Sequence, residues 1–167
     1  MQFQEKKHYS YPAETLLKVF SDRDYFLEKY ARSGATGISV LEDEQTDAGS
    51  RISVSRDVQV DVPVPAFAQK YVPHTITLIQ TDSWNYASRT GHIEIRFKGM
   101  PAEINCAMHM EQDGDGSTLV LNFTTRVQIP FVGNKLAEVL SRDLRAKFEK
   151  DSAAAHAAME VVLAKSG

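Results

Sequence analysis

The hydrophobic period of this chain changes once, and that change restricts the fold more than any other feature. From Ala35 to Ile129 apolar residues recur at every second position. Ile52, Val54, Val58, Val60 and Val62 alternate in one run, and Ile76, Leu78, Trp84 and Tyr86 share a face in the next. Ile93, Ile95 and Phe97 follow, then Ile104, Cys106, Met108 and Met110, then Leu119, Leu121, Phe123, Val127 and Ile129. Such alternation predicts strands with one buried and one wet face. The connections are short, and Asp113-Gly114-Asp115-Gly116 is a strong hairpin signal, so the strands are expected to form an antiparallel meander. After Ile129-Pro130 the period returns to 3.6. Leu136, Val139, Leu140, Leu144, Phe148, Ala155, Met159 and Val162 form one stripe. That stripe predicts a helix over about residues 132–164, roughly 45 Å long. A helix of that length with one apolar stripe must lie on something broad, and the sheet is the only candidate.

The N-terminal third adds three elements. Phe3–Tyr9 reads as a short strand. Pro12 opens a short helix carrying Leu16, Leu17, Val19 and Phe20. Asp22 and Asp24 open a second, with Tyr25, Phe26 and Tyr30, which Gly34 ends. The expected fold is α+β: a curved antiparallel β-sheet wrapped around a long C-terminal α-helix, with two short helices after the first strand. Residues 1–167 are expected to make one domain, since 167 residues suffice for a core without staples. The single cysteine excludes a disulfide framework, and with an N-terminus unlike a signal peptide it makes the cytoplasm the expected compartment. A net charge of −3 argues against a dedicated nucleic-acid partner. No apolar run reaches membrane-spanning length and no anchor motif is present, so no stable membrane anchor is expected.

Polar residues in the apolar register are the main pointers to chemistry. Arg56 shares parity with Val54 and Val58; Gln80 and Asp82 share it with Leu78 and Trp84. On the long helix, Lys147 and Asp151 fall among Leu140, Leu144 and Ala155. An inward arginine is costly unless paired or wet. It would serve as an anchor for a carboxylate or phosphate head group, or pair with Asp82 or Asp151. Alternatively, a β-bulge turns it outward, it sits at an edge, or it forms a plain buried ion pair.

Other candidates are weaker. His8, His92 and His109 take outward parity, and no histidine or cysteine pair has metal-ligand spacing, so no metal and no cofactor is expected. Cys106 reads as a small core residue rather than a nucleophile. Ser141 and Ser152 lack a G-x-S-x-G elbow. No catalytic residue is assigned. Phe67 and Tyr71, between prolines, read as a packed loop or, if a cavity mouth lies beside them, as a gate or a membrane-touching tip.

The order of elements resembles the START-like helix-grip superfamily, which includes lipid-transfer domains, pollen-allergen proteins and polyketide cyclases. More narrowly, Thr81-Asp-Ser-Trp84, Gly99-Met-Pro101, Asp113-Gly-Asp-Gly116 and Val127-Gln-Ile-Pro-Phe-Val-Gly-Asn-Lys-Leu136 resemble an uncharacterised bacterial family within that group. The resemblance implies a cavity between sheet and helix that holds a hydrophobic, lipid-like small molecule. Lining it, by inward parity, would be Arg56 and Val58, then Leu78, Gln80, Asp82 and Trp84 from the next strand. Ile95, Phe97, Met108 and Phe123 would follow from the later strands, and Leu144, Lys147, Phe148 and Asp151 from the helix. Three functions stand open: a carrier or sensor, a cyclase- or hydrolase-type enzyme nominating Asp82, Asp151, Arg56 and His74, and a protein-interaction module with a closed core. Oligomeric state is not legible.

Overall fold

The computed structural model describes residues 1–60 and 62–166. Strand β1 (Gln2–Tyr9) is followed by helices α1 (Ala13–Val19) and α2 (Arg23–Arg32). Six strands come next: β2 (Thr36–Gln45), β3 (Gly49–Gln59), β4 (Thr75–Asn85), β5 (Thr90–Phe97), β6 (Ala102–Asp113) and β7 (Gly116–Val127). Helices α3 (Gly133–Lys150) and α4 (Ser152–Ser166) end the chain. The strands form one antiparallel curved sheet in the order β1-β7-β6-β5-β4-β3-β2. The meander is thus continuous from β2 to β7, and β1 returns to close its far edge.

Local chemistry sets the elements near the site. The Asp22 side chain caps α2 by accepting from the Asp24 backbone N–H at 2.9 Å. Gly34, at φ +88°, lies just past its C-cap, where a left-handed conformation suits glycine. The β3–β4 register runs unbroken from Gly49↔Asn85 to Gln59↔Thr75, so no bulge turns Arg56 outward. The sheet's register shifts fall in β2 instead, around Gly37 and Leu41.

The C-terminal helix differs from the expected single rod. It breaks at Asp151, whose backbone (φ −90°, ψ 6°) separates α3 from α4. The break falls at Asp151-Ser152, two residue types disfavoured in helix interiors, while the Asp151 N–H still bonds the Lys147 carbonyl at 2.8 Å. The consequence is a change of partner. α3 packs on β7, where Ser141 Oγ donates to Thr125 Oγ1 at 2.9 Å within the core, and α4 packs on α2 rather than on the sheet. Ser141 therefore has a structural role. Lys165 Nζ ties the end of α4 to Asp22 and Asp24, at 3.2 and 2.5 Å.

Two apolar clusters result. The larger joins the sheet's concave face to α1, α2 and α4; the smaller gathers Ala68, Val72, Ile76, Met100 and Ala102 around Leu136 and Leu140. Tyr71 packs against this smaller cluster and Lys135 lies over the Phe67 ring, so the proline-bracketed segment is a packed loop. Cys106 is fully buried, and burial pushes its thiol up to about 12, which fits the core reading. Gly91 shows why one strand position must be small. A Cβ there would lie 2.6 Å from the Ser83 carbonyl oxygen and 2.8 Å from the Trp84 ring. Gly91→Ala is therefore expected to cost about 1–3 kcal/mol in urea unfolding and to shift Trp84 emission. An unchanged midpoint with unchanged emission would show the contact to be slack.

Candidate functional site

Between the concave face of the sheet and α2, α3 and α4 lies a cavity of about 380 Å³. Trp84, Ile93, Ile95, Met108, Leu119 and Leu121, all buried, form its inner wall. Gly34, Gln59 and Lys150, all exposed, mark the side where it reaches solvent. Leu144 and Phe148 lie on the helix stripe yet are only half-buried, because they face this space.

Of the residues expected from parity, Arg56, Val58, Gln80, Asp82, Trp84, Ile95, Met108 and Phe123 line the cavity, as do Leu144, Lys147, Phe148 and Asp151. Leu78 and Phe97 do not. They face each other across β4 and β5 at the level of Arg56, where Phe97 already packs against the smaller cluster. The core is filled there. His74, Phe67 and Tyr71 are also absent from the lining.

The polar end is built from α2, β3 and β4. Arg56 Nη2 donates to Gln80 Oε1 at 2.9 Å, and Gln80 Nε2 donates to Asp82 Oδ1 at 2.9 Å. Arg56 thus reaches Asp82 through an amide rather than by a direct ion pair. Its guanidinium carbon lies 3.7 Å from the centre of the Tyr30 ring, a cation–π stack that fixes the side chain's plane. Two buried polar atoms among the described residues have no hydrogen-bond partner, Arg56 Nη1 and Tyr30 Oη.

Lys29 joins this group from α2, with Nζ 5.7 Å from the Tyr25 and Tyr30 ring centres. Burial lowers its ammonium to about 8; Asp82 and Asp151 oppose the shift, while Arg56 and Lys7 add to it. Burial raises the Asp82 carboxyl, offset by the Gln80 hydrogen bond and by Lys29 and Arg56. Asp151 is raised for the same first reason. Burial raises the Tyr30 phenol, against the neighbouring Arg56 charge, and pushes Tyr9 up to about 12. From β1, Lys7 Nζ sits 4.2 Å over the Phe148 ring, and burial lowers its ammonium against Glu5.

Lys7, Lys29 and Tyr30 escaped the parity argument, though the signal was present. Lys7 alternates with Phe3 and Tyr9 on one face of β1. Lys29 lies one helical turn from Tyr25 and Phe26, on the apolar side of α2.

Residues 4–158 match the family described as protein of unknown function, DUF2505. The chain belongs to the DUF2505 family. No curated protein matches it significantly. Among solved structures, the DUF2505 chain is similar to the ZhuI aromatase/cyclase of Streptomyces sp. R1128, with 15% identity, TM-score 0.63 and coverage of 96% of this chain and 93% of that one. A START superfamily protein of Mycobacterium smegmatis aligns with 15% identity, TM-score 0.54 and coverage of 90% and 92%. Norcoclaurine synthase of Thalictrum flavum aligns with 14% identity, TM-score 0.56 and coverage of 98% and 86%. At these identities the likeness is one of fold: this DUF2505 chain has the helix-grip fold of the START superfamily. No helix among the described residues is long and apolar enough to cross a membrane.

Proposed function

We propose that this chain binds one hydrophobic small molecule between the sheet and the C-terminal helices, acting as a carrier or sensor in the cytoplasm. The observation that carries the reading is the cavity itself. Its volume of about 380 Å³ lies in the range of small-molecule sites, and apolar walls with a few convergent polar groups are what such sites share. An interaction module with a closed core has no use for this space. Its aromatic wall and its methionine suit a pliable apolar ligand. The helix-grip relatives named aromatase/cyclase, START protein and norcoclaurine synthase add support by analogy of fold.

The test is titration with an uncharged probe, N-phenyl-1-naphthylamine, whose emission rises in apolar surroundings. Wild type is expected to bind it in a saturable, one-site manner. Ile95→Trp, which fills the inner wall, is expected to weaken binding about 10-fold or more while the circular dichroism spectrum stays native, since one lost apolar site is worth at least ~1.4 kcal/mol. Equal binding by both proteins would place the probe elsewhere and remove this function.

A further inference from the structure

Two donors at the polar end of the cavity lack an acceptor among the described residues. Arg56 Nη1 and Tyr30 Oη are buried and have no hydrogen-bond partner of good geometry among the described residues beyond their own mutual approach, and they belong to side chains stacked on each other from β3 and α2. Arg56 Nη2 is already committed to Gln80, so one edge of the guanidinium remains. Lys29, beside Tyr30, faces aromatic rings, and no carboxylate of the described residues lies within ion-pair distance of it. Lys7 is in the same position over Phe148. Of the five cationic side chains that line the cavity, Lys147 is paired with Asp143 and Lys150 is exposed, which leaves Lys7, Lys29 and Arg56 facing Asp82 and Asp151 in a chain whose net charge is −3.

We propose that the ligand is an acid: an apolar body carrying one carboxylate, which accepts from Arg56 Nη1 and from the Tyr30 hydroxyl, with the Lys29 ammonium alongside. This deepens the small-molecule reading above and rests on it. The donor inventory selects the class. Arg and Lys cannot accept, so an alcohol or an amine leaves them no better paired than water does. A carboxylate brings two oxygens with about four acceptor sites, enough for one guanidinium edge, one phenol and one ammonium. A phosphate would meet the same half-occupied fork of Arg56 and brings more acceptor oxygens and charge than the two unpartnered donors call for.

The experiment compares decanoate, decanol and decyl phosphate by isothermal titration at pH 7.5 on wild type, Arg56→Met and Tyr30→Phe. Decanoate is expected to bind wild type about 10- to 100-fold more tightly than decanol, the scale of a charge-assisted hydrogen bond. Arg56→Met is expected to abolish that preference while decanol affinity stays within about 3-fold, a change under ~0.7 kcal/mol. Tyr30→Phe, which keeps the ring under the guanidinium, is expected to reduce the preference only in part, and it tests the site even where Arg56→Met fails to fold. Equal affinities for decanoate and decanol would show that water satisfies the donors; the acid assignment falls and the apolar site stands. Tightest binding of decyl phosphate would overturn the carboxylate in favour of phosphate. Binding of none of the three would remove both the acid and the small-molecule reading.

Discussion

Leu136→Ala lowers the unfolding free energy by about 3–5 kcal/mol in urea titrations, and Phe148→Ala by only about 1–2 kcal/mol, although phenylalanine is the larger side chain. Leu136 is fully buried at the centre of the smaller cluster, so its removal leaves a void that the surrounding groups cannot fill. Phe148 sits on the same helical stripe but borders the cavity. Its ring meets Phe123 edge-on at 6.3 Å and carries Lys7 on one face, and the rest looks into open space. Truncating it enlarges a space that already exists. A closely packed Phe148 would instead cost about 3–5 kcal/mol on truncation, and that result would mean the cavity is closed by side chains in solution.

Lys29→Met stabilises the protein at pH 7 by about 1–2 kcal/mol, allowing for the solvent that still reaches this half-buried side chain, which corresponds to a Tm rise of about 2–8 °C. The sign follows from the direction of the shift. The folded-state ammonium titrates at about 8, below the ordinary lysine value of 10.5, because burial disfavours its charge. Between those two values Lys29 binds more protons in the unfolded chain than in the folded one, so its contribution to wild-type stability rises with pH across that window. Below about pH 8 the full cost of the buried charge is present. The stability gap between Lys29→Met and wild type is therefore widest at pH 7 and narrows toward pH 10.5. The buried phenols of Tyr9 and Tyr25 stay protonated in the folded state while tyrosines of the unfolded chain begin to ionise near pH 10, and this contribution is shared by the two proteins and cancels in their difference. A gap that is absent at pH 7, or that widens with pH, would show that Lys29 is solvated. A residue that costs stability in the empty protein finds its use with an occupant, which links this prediction to the acid ligand.

The parts of the fold legible in the sequence were those governed by periodicity and by caps. Ile52, Val54 and Val58 alternate because β3 has one buried face, and the same parity carries Arg56 inward. Asp22 and Gly34 bound α2 because capping chemistry is local. Parity has a limit, however. It assigns a side chain to a face and is indifferent to what stands opposite. Leu78 and Trp84 share one face of β4, yet Trp84 borders the cavity while Leu78 is enclosed by packing, a difference set by the helices across from them. Lys29 belongs to an apolar helix face that reads as ordinary core until β3 and β4 place Arg56 and Asp82 against it. The break at Asp151 likewise depends on context. The stripe continues through it from Phe148 to Ala155, but α4 follows α2 and α3 follows β7.

The central claim is that the interior holds a single small molecule, and native mass spectrometry tests it most directly. Protein incubated with a total lipid extract and re-purified is expected to show one added mass per chain, released by organic solvent and absent from Ile95→Trp treated in the same way. A wild-type protein that stays bare, or an added mass that Ile95→Trp carries equally, would contradict the claim.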